Sequence, residues 1–154
     1  MIIFHAYSAK WYEVFGAIIK IKSNAKFNHI ATEVVGEGIF QANVVKGTTK
    51  VQKQIQKPVI SIKCPFNTKT KKGKSYIAYL NGQVGKKYDY RAVLFGFWGM
   101  KNENGSKWYC SELADTFFSV YLNQKSALKT TISPKVFIAK AEAYTLGLGA
   151  TNEK

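Results

Sequence analysis

Cys110 stands in the run Trp108-Tyr109-Cys110-Ser111-Glu112-Leu113, just ahead of apolar residues at helical spacing (Leu113, Phe117, Val120). That position puts its sulfur at or near a helix N-terminus, where backbone N–H groups and the helix dipole favour a thiolate. A thiolate is a nucleophile. To hydrolyse a substrate it needs an imidazole as base and a third polar group that holds the imidazole in one tautomer. His29, in Asn28-His29-Ile30-Ala31-Thr32-Glu33, offers that imidazole on a strand-like stretch far upstream. Gln41 lies twelve residues beyond His29, across the turn Gly36-Glu37-Gly38. A symmetrical hairpin of that length sets position 41 beside position 29 and turns an amide toward the ring nitrogen that faces away from Cys110. Glu33 is the alternative orienter, because the two-residue period of a strand keeps it on His29's face. The oxyanion of acyl transfer would be met by the backbone N–H of Cys110 or Ser111, a property of the helix start and not of any side chain.

The elements that must position these residues are legible as patterns. Met1 to Tyr7 reads as a short strand. Trp11, Val14, Phe15, Ile18 and Ile19 have amphipathic helical spacing, with Ser8 or a neighbour as cap. Two alternating segments, Phe27 to Val35 and Ile39 to Val45, flank the glycine turn as a hairpin. Val51, Lys53 and Ile55 suggest a further strand, and Val59 to Cys64 another that Pro65 ends. Tyr76, Ile77, Leu80 and Val84 predict a helix stopped at Gly85, and Cys110, Leu113, Phe117 and Val120 one face of a second. Ser133-Pro134 marks the start of a last helix, an N-cap followed by Pro at the first helical position. This order of strands and helices describes an α+β domain.

At 154 residues and 46% hydrophobic content, the chain suits one domain with a substantial core. It shows no internal repeat and no low-complexity linker. Two cysteines do not build a disulfide scaffold, and Cys64, between Lys63 and Pro65, reads as a small buried hydrophobe. The first residues lack a basic region followed by an apolar run, and no apolar stretch is long enough to span a membrane, so a soluble cytoplasmic product without a cleavable signal is expected. His5, His29, Cys64 and Cys110 have no paired spacing, which argues against a structural zinc; no cofactor is expected. Gly82-Gln-Val-Gly85-Lys86-Lys87 lacks the spacing and terminal hydroxyl of a phosphate loop and reads as a helix end. His5 reads as structural or exposed.

The formal charge is +14, and from Lys46 to Arg91 twelve basic residues face one acid, Asp89. Such a field concentrates anionic partners: an acidic cell-wall polymer, phospholipid or nucleic acid. Two functions follow. One is a hydrolase steered to an anionic matrix. The other is a non-enzymatic nucleic-acid- or polyanion-binding domain, in which Lys69 to Lys74 and exposed aromatics contact phosphates and bases, though no RRM, KH or helix-turn-helix signature supports it.

The stretch His29 to Ala42 resembles the His strand, glycine turn and third-polar-residue strand of the NlpC-type papain-like cysteine hydrolases, where the third residue is His, Asn or Gln. Gly85-Lys-Lys-Tyr88-Asp89-Tyr90 and Tyr109-Cys110-Ser111-Glu112-Leu113 are similar to segments of the permuted branch, the YiiX-like group, in which the His strand precedes the Cys helix. The resemblance implies a circularly permuted papain-like fold, an antiparallel sheet or small barrel packed against helices. It further implies Cys110 as nucleophile, His29 as base, Gln41 as orienter, and a site lined by tyrosine, for which Tyr88, Tyr90 and Tyr109 are the candidates. The chain departs from the group in two places: an acidic residue is common where Gln41 stands, and Gly96 to Lys107 looks like an insertion.

Overall fold

Ile2, Phe4 and Ala6 are fully buried while Ile3 and His5 are only half-buried, the two-residue period of a strand with one face in a core. The computed structural model describes residues 1–8, 26–53, 56–90, 107–124 and 133–147. Among these residues, strands β1 (Ile2–Tyr7), β2 (His29–Val34), β3 (Gly38–Asn43), β4 (Gly47–Val51) and β5 (Ile60–Cys64) form one antiparallel sheet in the order β4-β3-β2-β1-β5. The sheet is open, with β4 and β5 at its edges. Three helices accompany it: α1 (Lys71–Gln83), α2 (Cys110–Thr116) and α3 (Pro134–Thr145). A small parallel pair, β6 (Lys87–Tyr88) and β7 (Lys107–Trp108), leads into α2. The architecture is α+β, as expected. The helix expected over Trp11 to Ile19 and most of the Gly96 to Lys107 segment lie outside the described residues.

The main core lies on the sheet face carrying Phe4, Ile30, Phe40 and Ile62, against Leu113, Phe117, Phe118 and Phe137. Phe4 meets Phe117 and Phe137 edge-on at centroid separations of 5.5 and 4.9 Å. Each such buried ring stabilises the fold by about 1.5–3 kcal/mol. The opposite sheet face holds a smaller cluster of Tyr7, Ala31 and Ile39, with Val51 packed against it.

Local chemistry sets the element ends. Gly36 and Gly38 have φ of 89° and 134°, a region that side chains disfavour, and they carry the β2–β3 turn. The turn is centred on Gly36, which fixes the register at Ala31 opposite Gln41 and Val34 opposite Gly38. Gln41 is therefore not lateral to His29, as a symmetrical hairpin about Val35 would have it, but diagonal to it. Of the strand expected through Val51, Lys53 and Ile55, β4 ends at Val51, opposite Ile39 where its partner β3 leaves the turn, and Ile55 lies outside the described residues. Helix α1 starts at Lys71, earlier than its apolar spacing indicates, because Thr70 Oγ1 accepts the Gly73 N–H at 3.0 Å. Helix α3 begins as expected: Ser133 Oγ accepts from the Val136 N–H at 3.3 Å and Pro134 occupies the first turn.

The expected apolar face of the second helix holds for Cys110, Leu113 and Phe117 but not for Val120, which is 44% exposed. After Thr116 the helix widens into a π turn, Phe117–Tyr121, with the Leu122 N–H donating to the Phe117 carbonyl. The extra residue per turn rotates Val120 toward solvent and brings Phe118 into the core.

Candidate active site

Cys110 is the first residue of α2 and His29 the first of β2. The β2–β3 ladder begins at Ala31 and Gln41, so His29 and Ile30 lie beyond the paired stretch. There the sulfur meets the sheet. Backbone hydrogen bonds from Ile30, the residue after His29, and from Ser111 stabilise the Cys110 thiolate. Ser111, the expected oxyanion residue, is fully buried and presents its backbone to the sulfur.

Gln41 reaches His29 across the diagonal: the imidazole Nε2 lies 2.9 Å from Gln41 Oε1. An amide oxygen only accepts, so Nε2 carries the proton and Nδ1 is the basic nitrogen. A diagonal pair has Cβ atoms about 7–8 Å apart, a gap that a long side chain closes. Tyr7 flanks the imidazole, its ring centroid 6.2 Å away. Glu33, the alternative orienter, is committed elsewhere: its Oε2 is 2.7 Å from Nε2 of His5. Of the two candidate orienters, Gln41 is the one in contact with His29, while register turns Glu33 toward His5 of β1.

Burial governs the charge states. Cys110 is 1% exposed, and loss of water pushes its thiol up to about 12 against the pull of the Ile30 and Ser111 backbone groups; the Glu112 carboxylate adds to the rise. Burial also holds the His29 imidazole below its ordinary value, partly offset by its bond to Gln41. Both directions favour the uncharged forms, a neutral thiol at Cys110 and a neutral imidazole at His29. The thiolate expected from the helix start is not the resting form, because the first turn of a seven-residue helix contributes less than desolvation removes.

The three tyrosines separate. Tyr109 is fully buried as the residue preceding α2, and its backbone N–H donates to Glu112 Oε2 at 3.2 Å, which satisfies one orphan donor of the helix start. Its hydroxyl favours the Cys110 thiolate yet, among the described residues, falls short of hydrogen-bond geometry with a partner. Tyr88 is buried and packs edge-on against Tyr109 at 6.1 Å. Tyr90 is 44% exposed, stacks edge-on against Tyr88, and donates its hydroxyl to the Val44 carbonyl. Cys64 is buried and sits 3.4 Å from Thr145 Oγ1, in keeping with its reading as a small core residue.

Two contributors escaped the sequence reading. Glu112 is the third residue of α2, and the run Cys-Ser-Glu carries the spacing of half a capping box. The Ile30 peptide has no signal in residue identity at all. No protein-family model, curated protein or solved structure matches this chain.

Proposed function

We propose that the chain is a thiol hydrolase of permuted papain-like type, acting on an amide, peptide or acyl-ester bond in an anionic cell-wall or lipid substrate. The observation that carries the reading is the 2.9 Å bond from His29 to Gln41, which leaves Nδ1 as base, on the strand whose next residue, Ile30, meets the Cys110 sulfur through its backbone at the start of α2. His29 Nδ1 takes the proton from the Cys110 thiol as sulfur bonds to the substrate carbonyl carbon. The backbone N–H of Ser111 meets the oxyanion. The imidazolium then protonates the departing amine or alkoxide. Water, deprotonated by the same nitrogen, releases the acid from the thioester and restores the thiol.

Because both partners rest uncharged, proton transfer accompanies attack and is not complete before substrate arrives. Gln41 orients the ring but, being neutral, stabilises the imidazolium less than a carboxylate would. The lysine-rich surface steers an anionic matrix to the site.

The test is turnover of peptide-amide, peptidoglycan-peptide and phospholipid substrates by wild type, Cys110→Ala and His29→Ala. Hydrolysis lost by about a thousandfold or more in Cys110→Ala is expected. Hydrolysis unaffected by that change overturns the reading. Absence of turnover, together with salt-sensitive retention of Cys110→Ala on a nucleic-acid column, replaces it with a polyanion-binding domain.

A further inference from the structure

A second constellation lies on the same sheet face, across β5, β1 and β2. His5 sits directly opposite Ser61 on one side and Ala31 on the other, which places Glu33 on its diagonal. All three polar side chains share one face. His5 Nδ1 is 2.8 Å from Ser61 Oγ, and His5 Nε2 is 2.7 Å from Glu33 Oε2. A carboxylate only accepts, so Nε2 carries the ring proton and Nδ1 accepts from the Ser61 hydroxyl. The His5 side chain is 13% exposed and that of Glu33 31%, so the carboxylate holds the ring in one tautomer at a partly dehydrated position.

We propose that Ser61, His5 and Glu33 form a serine-based site for small activated carboxylic esters, separate from Cys110. Ser61 is exposed and therefore reachable. Lys63 follows Ser61 by two residues on the same sheet face, and its ammonium is the positive charge available to a developing oxyanion.

The step balances. Ser61 Oγ bonds to the ester carbonyl carbon and its proton passes to His5 Nδ1. The bond to the alcohol oxygen breaks, and the alcohol leaves with that proton. Water attacks the acyl-serine with Nδ1 again taking a proton, which frees the acid and restores the hydroxyl.

The experiment uses the full chain carrying Cys110→Ala, so that thiol chemistry cannot contribute. An alkyl fluorophosphonate transfers its phosphonyl group to an activated serine with loss of fluoride. The expected result is one adduct, mapped by peptide mass spectrometry to Ser61. It should form about a hundredfold more slowly in His5→Gln and Glu33→Gln, the factor a lost general base removes. Release of p-nitrophenol from its acetate ester should fall to the buffer rate in Ser61→Ala. Far-UV circular dichroism confirms that each variant is folded. No adduct on Ser61, or the same adduct at an unchanged rate in folded His5→Gln, overturns the proposal. Neither result bears on Cys110.

Discussion

Alkylation of Cys110 offers the most direct measure of what burial does to the nucleophile. Its thiol is pushed from 9.0 up to about 12, a thousandfold smaller thiolate fraction at any pH well below 9. A more basic thiolate is also a better nucleophile, with a Brønsted slope of about 0.4–0.5, which returns about 20-fold over three units. The net expectation is alkylation about 50-fold slower than for an unperturbed cysteine, before the steric cost of a sulfur that is 1% exposed. Iodoacetamide labelling followed by mass spectrometry of the Cys110 peptide measures this between pH 6 and 10. In the native protein the rate should climb tenfold per pH unit with no plateau, whereas the same protein in urea should level off near the ordinary thiol value, about 8.5–9. A native rate already flat between pH 6 and 8 would mean a preformed thiolate–imidazolium pair and would refute the neutral resting state.

Stability should depend on pH at both ends of the range. His29 stays neutral when folded, while the unfolded chain takes up its proton below 6.5, so stability falls as pH drops under that value; His29→Gln should flatten the dependence of the urea midpoint there, and an unchanged acid slope counts against it. Cys110 loses its proton near 9.0 when unfolded and near 12 when folded, so stability falls as pH rises above 9, and Cys110→Ala should make that alkaline loss shallower in the same titration, leaving the share of buried Cys64 and the tyrosines. Gln41→Glu should raise the His29 pKa by a unit or more in an NMR titration, each unit being about 1.4 kcal/mol, and a shift downward would contradict the placement of the two side chains. Gly73→Ala puts a Cβ 2.0 Å from the Asn67 carbonyl oxygen and should cost about 1–3 kcal/mol in thermal unfolding, whereas Gly82→Ala, with nothing within 4 Å, should be neutral or stabilising; equal effects would show that the close approach does not matter.

Periodicity and caps revealed β1, the β2–β3 hairpin, β5 and α3, because each rests on local chemistry: alternating side chains, a glycine turn, or Ser133 ahead of Pro134. The pairing of His29 with Gln41 was legible as well, though its register was not, since one residue in the turn decides whether position 29 meets 41 or 43. What failed depended on distant neighbours. Val120 turned to solvent because of a π turn that no spacing announces, and the strand expected through Lys53 ended at Val51, where β3 leaves the turn. The thiol's charge state was misread because a helix start is visible in sequence while the burial that overrides it is assembled from several elements. His5 gave no hint of its partners, as Ser61 and Glu33 reach it only through the two ladders of β1.

Strand β1 precedes the other strands in sequence yet lies inside the sheet, between β2 and the edge strand β5. One of its flanks cannot be closed until Ile60 to Cys64 have been made and have docked antiparallel along it. Such non-local closure is slow, and in the meantime Ile2, Phe4 and Ala6 form an apolar strand with an unpaired edge, the kind of surface on which chains associate. On this topology the docking of β5, a strand that carries neither Cys110 nor His29, is the step expected to limit folding and the exposure of that edge.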